Sequence, residues 1–171
     1  MEHSWSNEFA GVPAAEAVAP QETGPDPGAE APDFDVKDHT GRIVRLSRYR
    51  TRPVVLWFYS SLRADDSITE GCGFRDRMSQ FDTRGVQVFG VGSDDVAQSA
   101  AFAGQLRLNF PLLCDTDHAI AQAYGVDRAR MDDPARRVTC VIDPSGRIAH
   151  WYTGAHDPAA GFPAAEVLKV L

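Results

Sequence analysis

The sequence predicts an α/β domain, a central mixed sheet flanked by helices, from three observations. Two apolar runs, PVVLWFY (53–59) and VQVFGV (86–91), have the length and the β-branched and aromatic content of strands buried on both faces. The segments after them carry apolar residues at helical spacing, so the strands are joined by crossovers and run parallel. Near the end, RVTCVID (137–143), PSG (144–146) and RIAHWY (147–152) read as an antiparallel hairpin around a Pro-Ser-Gly turn.

The elements follow in order. DFDVKDHTG (33–41) and RIVRL (42–46) read as two short strands around an Asp-His-Thr-Gly turn. After the first buried strand, residues 67 to about 84 place Phe74, Met78 and Phe81 on one helical face. The second buried strand leads into a helix over 94–107 that opens on Asp94 and Asp95, where the helix dipole favours negative charge. A short strand, FPLLC (110–114), precedes a short helix, DHAIAQAY (117–124), ended by Gly125. A last helix is expected from about Pro163 to Leu171, and no internal repeat is visible.

Composition narrows the function classes. With 171 residues and 43% apolar content, the chain fits one domain with a sizeable core. The net charge is −7 with no basic run, which argues against a nucleic-acid or anionic-membrane partner. No apolar stretch reaches the roughly 20 residues that span a bilayer. The first ten residues lack a positive segment and an apolar segment, so no secretory signal is read and a cytoplasmic location is expected. Cys72, Cys114 and Cys140 are odd in number and widely spaced, so neither a disulfide framework nor a metal site is predicted. No cofactor is expected. A monomer or homodimer that takes a small-molecule ligand is the reading of the partners.

Residues 1–28 are rich in Ala, Pro, Glu and Gly and form an N-terminal extension ahead of a domain over 29–171. Such a segment buries too little apolar surface to offset its ordering entropy. Two readings stay open, a flexible leader and a tail that docks Trp5 and Phe9 on the domain.

GAEAPDF (28–34), TEGCGFRD (69–76), FPLLCD (110–115), AYGV (123–126) and RVTCVIDPSGRI (137–148) occur in order and together resemble the peroxiredoxins. The similarity is to the alkyl hydroperoxide reductase/thiol-specific antioxidant superfamily, in its bacterioferritin-comigratory, or Q-type, branch. It covers nearly all of 28–171 and implies a thioredoxin-like fold. Peroxiredoxins carry a Pro-x-x-x-Thr-x-x-Cys motif whose cysteine attacks peroxide, with a distant arginine that holds thiolate and peroxide. The resemblance places Cys72 where the Q-type branch often has its resolving cysteine. Counted back from it, the motif positions are Ser60, Ala64 and Ser67, all three different from the family pattern. Arg137 matches the arginine, with Arg136 as its rival.

A thiol of pKa about 8.5 is brought toward neutrality by a helix N-terminus and a nearby cation. A serine hydroxyl lacks that acidity and cannot form a sulfenic acid, so peroxide reduction through Ser67 is excluded. Asp65 and Asp66 add negative charge where a thiolate would sit, and like charge raises a thiol pKa. These departures read as natural divergence.

Two readings of the segment around Ser67 remain. In the first, Ser67-Ile68-Thr69-Glu70 is a capping box, in which the serine oxygen accepts from the N3 amide and the glutamate reaches back to the cap. In the second, Asp65, Asp66, Ser67 and Arg137 converge beyond the carboxyl end of the central strand, where ligands of open α/β sheets tend to sit. Catalytic candidates are then Ser67, Asp65, Asp66, Arg137 and Cys72. Ligand-binding candidates are Tyr59, Ser60, Ala64 and Arg137, with the side chains of Trp57, Phe58 and Tyr59 facing the cleft. His39, His118, His150 and His156 are scattered and read as surface or turn residues. Cys140 reads as core filler and Cys114 as structural. The functional alternatives are a pocket reused for non-redox catalysis on, or binding of, a small organic metabolite, a residual thiol oxidoreductase acting through Cys72, and a non-catalytic interaction domain.

Overall fold

A computed structural model describes residues 25–61, 64–131, 137–153 and 163–171. The expectations for the N-terminal tail, for Arg136 and for His156 lie outside these residues.

The two buried runs become the centre of a five-stranded sheet. Its strands are β3 (Val54–Phe58), β4 (Gln87–Gly92), β5 (Leu112–Cys114), β6 (Val138–Ile142) and β7 (Ile148–Thr153), in the order β5-β4-β3-β6-β7. β4 runs parallel to β3 and to β5, whereas β6 and β7 are antiparallel to their neighbours. This is the expected mixed sheet with early crossovers and a late hairpin. A separate two-stranded ribbon pairs β1 (Asp35–Lys37) with β2 (Ile43–Arg45). Its turn is held by Asp38 Oδ1, which accepts from the backbone amides of Thr40 and Arg42 and from the Thr40 hydroxyl.

Period-two geometry explains why β3 is apolar throughout. Val54, Leu56 and Phe58 enter one core with Phe89, Leu113, Tyr124 and Cys140, whereas Val55, Trp57 and Tyr59 enter the other with Phe74, Phe81, Phe102 and Phe110. The second core leaves little room on β4. A Cβ on Gly90 would lie 2.7 Å from Leu112 Cδ2, and one on Gly92 would collide with the Tyr59 ring and hydroxyl.

The helices are α1 (Asp65–Asp76), α2 (Met78–Thr83), α3 (Val96–Leu106), α4 (Ala119–Ala123) and α5 (Ala164–Leu168). The single helix expected from 67 to 84 is two helices that break at Arg77, whose φ of −107° and ψ of 7° leave the helical region. Phe74, Met78 and Phe81 nevertheless share one buried face, which is why the apolar spacing read as continuous. α3 carries a true capping box: Asp95 accepts from the Gln98 amide, and the Gln98 side chain accepts from the Asp95 amide. α4 begins two residues later than expected because His118 turns left-handed at φ 62°. Asp115, almost fully buried, accepts from the amides of Ile120 and Ala121 and so satisfies that helix start. The hairpin turn is closed by Asp143 Oδ1, which accepts from Ser145 N, Ser145 Oγ and Arg147 N, with Gly146 at φ 88°. Residues 28–31 already lie along this hairpin, with the Gly28 amide donating to Ile148 O and the Ala31 amide to Gly146 O. No helix among the described residues is long and apolar enough to cross a membrane.

Candidate functional site

The site lies where β3 empties into α1. β3 ends at Phe58, and Tyr59 still donates its amide to Val91 O, so Ser60 is the first residue free of the sheet. α1 then starts at Asp65 with Ala64 as its N-cap, in extended conformation and without a side-chain cap. Ser67 therefore stands at the third helical position, not at the cap.

This corrects the capping-box reading of 67–70. Ser67 is fully buried and points inward, with its Oγ 3.3 Å from Ser60 Oγ, where either hydroxyl donates. Glu70 is drawn into the protein instead of back to the helix start. Its Oε1 accepts from Trp57 Nε1 at 2.7 Å, and its Oε2 lies 3.1 Å from Arg137 Nη1. The physical reason is demand: a buried indole N–H and a buried guanidinium both require an acceptor, whereas the first amides of α1 can be met by water.

Arg137 enters from the residue before β6 and is 7% exposed. The same Nη1 that meets Glu70 also lies 3.1 Å from Asp66 Oδ2. Asp66 and Glu70, four residues apart, sit on one face of α1 and straddle the guanidinium. The two carboxylates differ in setting, since the Glu70 side chain is 3% exposed and the Asp66 side chain 47%. Burial pushes the Glu70 carboxyl above the usual range, against the lowering effects of the Trp57 hydrogen bond and the Arg137 charge. Of the predicted group, Asp66 thus meets Arg137, and Ser67, the next residue of α1, meets Ser60. Asp65 is exposed in the first turn of α1, and Ala64 serves as backbone at the helix start.

The aromatic wall is a further correction. Trp57, Phe58 and Tyr59 are all completely buried and offer no side-chain surface to a cleft. The Tyr59 ring lies against Trp57 at 4.8 Å and stacks on Phe102 at 6.2 Å between ring centres. Burial pushes its hydroxyl far above the usual tyrosine range. As a binding residue, Tyr59 contributes only its backbone carbonyl, and that carbonyl is occupied.

Its partner is Arg128, which sequence reasoning missed. Arg128 Nη1 donates to Tyr59 O at 2.6 Å and Nη2 to Val91 O at 3.0 Å, tying together the carboxyl ends of β3 and β4. Arg128 also lines a cleft of about 420 Å3 with Ser60, Ser93, His118, Gln122 and Asp127. The signal for it lay in a short 3-10 turn, Arg128–Arg130, that no periodicity marks. A larger cavity of about 500 Å3 opens on the β1 side, between Phe34, Val36, Cys114 and Tyr124.

The cysteines are all free. Cys114 is buried, with Sγ 3.6 Å from Ser99 Oγ, and burial pushes its thiol up. Cys140 is fully enclosed, its thiol pushed up to about 12. Cys72 is half-buried on α1. The histidines stay scattered: His39 Nδ1 accepts from the Leu112 amide, His118 turns the chain into α4, and His150 stacks on Tyr152 on β7. Among the described residues no group of three or more His, Cys, Asp or Glu could hold a metal ion.

Comparison with known proteins agrees with the fold. Residues 27–151 match the model of the AhpC/TSA family. The chain is 32% identical over 144 residues to the chloroplastic peroxiredoxin Q of Triticum aestivum, covering 84% of this chain and 65% of that protein. It is likewise 32% identical over 128 residues to peroxiredoxin Bcp of Escherichia coli, covering 72% of this chain and 82% of that one. The chain therefore spans just under two thirds of the wheat protein's length. Among solved structures, peroxidoxin BcpB of Mycobacterium tuberculosis superposes with a TM-score of 0.73 at 31% identity, over 85% of this chain and 97% of that one. A cysteine-to-serine mutant of the Xylella fastidiosa PrxQ, at 24% identity, shares the fold with a TM-score of 0.76 over 86% of this chain and 96% of that one. The chain belongs to the AhpC/TSA family, in its peroxiredoxin Q/Bcp branch, and has the thioredoxin-like fold of that branch.

Proposed function

We propose that this family member does not reduce peroxide at the helix-start position and instead binds a small, polar, uncharged organic molecule beyond the carboxyl ends of β3 and β4. The observation that carries the first half is Ser67, whose buried hydroxyl stands at the inner face of the first turn of α1. An oxygen there has no accessible anion and no oxidation ladder comparable with sulfur's. A serine nucleophile would need a base within hydrogen-bond reach, and the partner of Ser67 Oγ is another hydroxyl, Ser60 Oγ. Binding therefore suits the site better than non-redox catalysis.

The second half is supported by the cleft that Ser60 shares with Ser93, Gln122 and Arg128, which offers hydroxyl and amide groups for directional hydrogen bonds. Arg137 Nη1 meets two carboxylates and the terminal nitrogens of Arg128 donate to two backbone carbonyls, so the charge of each already faces acceptors, while the Nε of both is buried without a hydrogen-bond partner among the described residues. Thermal-shift titration with small amides, polyols and carboxylic acids tests this reading, with Ser60→Trp as the variant that fills the mouth of the cleft. Stabilisation of the wild type by neutral compounds, lost in Ser60→Trp, is expected. Stabilisation by carboxylic acids alone contradicts it.

A second reading, a thiol oxidoreductase working through Cys72, is favoured by that residue's partial exposure and by the names of the relatives. Cys114 and Cys140 have raised thiol pKa values and little access, so any thiol chemistry falls to Cys72.

A further inference from the structure

We propose that Asp66 is a built-in anion that engages Arg137 Nη1 from the solvent side and so disfavours a second negative charge at the start of α1. The inference rests on the first half of the proposed function, that peroxide is not reduced at the start of α1; the cleft of the second half is lined by neither Asp66 nor Arg137. Arg137 has two carboxylate partners on the same nitrogen, and they are not equivalent. Glu70 approaches from the protein interior and is fixed from behind by Trp57 Nε1. It orients the guanidinium and neutralises part of its charge from below. Asp66 approaches from the water side, with a side chain about half exposed, while Arg137 itself is 7% exposed. A carboxylate, a thiolate or a peroxide anion that sought Arg137 would meet the Asp66 carboxylate first.

The placement follows from the helix. Asp66 is the residue immediately before Ser67, at the second position of α1, so its carboxylate is carried to the same end of the helix as the amides that would favour an anion. Asp66 thus sets a negative charge both at the helix start and on one nitrogen of the guanidinium, whose Nε is buried without a hydrogen-bond partner among the described residues. Asp65 carries the same charge in the same turn but stands exposed, so it supplies a matched comparison of charge without the Arg137 contact. Among the described residues, the charged groups around this point are Asp65, Asp66 and Glu70 on α1 and Arg137 ahead of β6.

A cysteine placed at 67 reports the local preference for a negative charge through its thiolate absorbance, without any reagent having to enter. In full-length protein, the ultraviolet titration of Ser67→Cys, measured as the difference from the parent, is compared with that of Asp66→Asn/Ser67→Cys and Asp65→Asn/Ser67→Cys. Removal of Asp66 takes away the neighbouring negative charge and the neutralisation of Arg137 that goes with it, so the midpoint should fall by about one pH unit, roughly tenfold in thiolate at a given lower pH. Removal of Asp65 should lower it by clearly less. Equal shifts, or a larger one from Asp65→Asn, overturn the assignment, because the effect would then be general charge and not the Arg137 contact. Asp66→Ser replaces Asp66→Asn if the latter loses the native denaturation profile. Rapid peroxide turnover by the unmodified protein would defeat the reading on which this rests and leave the comparison of the two aspartates intact. Equal shifts in a protein that is inert to peroxide would defeat the role of Asp66 alone.

Discussion

α1 and α3 both begin just beyond a parallel strand, and both open on acidic residues, yet they spend them differently. At α3, Asp95 and Gln98 close a reciprocal capping box, and the acid is consumed by the backbone of its own helix. At α1 the cap position is Ala64 and contributes no side chain. There Asp66, Ser67 and Glu70 face Arg137, Ser60 and Trp57, so the polar groups of the first turns serve tertiary partners instead. A helix start that leaves its own amides without a side-chain cap while turning its polar groups to tertiary partners is the arrangement on which the proposed site rests. The one at α3 is organised for stability.

That difference is broken most severely at Glu70. Glu70→Ala removes the acceptor from a buried guanidinium and from a buried indole, and a cost of about 3–5 kcal/mol is expected. Chemical denaturation measures it, and a loss below about 1 kcal/mol would show that water or Asp66 replaces the carboxylate. Glu70→Gln keeps an acceptor for Trp57 and should cost less.

The two helix starts can then be compared directly. Asp95→Ala loses a cap and should lower stability by about 1 kcal/mol. Ser67→Ala loses one long hydroxyl contact and no cap, so about 0.5 kcal/mol is the expected cost in the same experiment. A larger penalty for Ser67→Ala than for Asp95→Ala would reverse the assignment of the two helix starts.

A pH series sharpens the comparison without a large stability change. The folded carboxyl of Glu70 is raised above its unfolded value because burial outweighs its two favourable contacts. Its contribution to stability is therefore fully present below the unfolded pKa of about 4.3 and declines as pH rises through the folded value. Glu70→Gln should flatten that decline, whereas Asp95→Ala should leave it in place. Denaturation midpoints across weakly acidic to neutral pH give the slopes, and a decline that survives in Glu70→Gln would assign it to another group.

The fold was legible because its signals are local. The apolar run at 53–59, the crossover spacing and the Pro-Ser-Gly turn each act within a few residues, and all became the elements they predicted. The break at Arg77 was hidden because Phe74, Met78 and Phe81 keep one apolar face across it. At the site, the meeting of Asp66 with Arg137 was expected from the motif positions, but the second partner of Arg137, Glu70, was not. Ser-Ile-Thr-Glu reads as a capping box by spacing alone, and only the positions of Trp57 and Arg137 in three dimensions reveal that Glu70 is claimed by them. Its four-residue spacing from Asp66 was the available clue. Conversely, Asp-Val-Ala-Gln at 95–98 is the capping box, and the acidic charge there drew attention to the dipole rather than to the glutamine three residues on. Arg128 was out of reach because the turn that carries it has no pattern of its own. The aromatic residues 57–59 were given to the cleft on proximity in sequence, whereas strand alternation at the sheet centre sends each of them into a core.

The proposal that this protein runs no thiol chemistry on peroxide is examined by stopped-flow consumption of hydrogen peroxide with a dithiol reductant in excess. The wild-type protein should consume peroxide no faster than Cys72→Ser/Cys114→Ser/Cys140→Ser, the variant with no thiol. Rapid turnover by the wild type that disappears in Cys72→Ser alone would contradict it and place the reaction on Cys72.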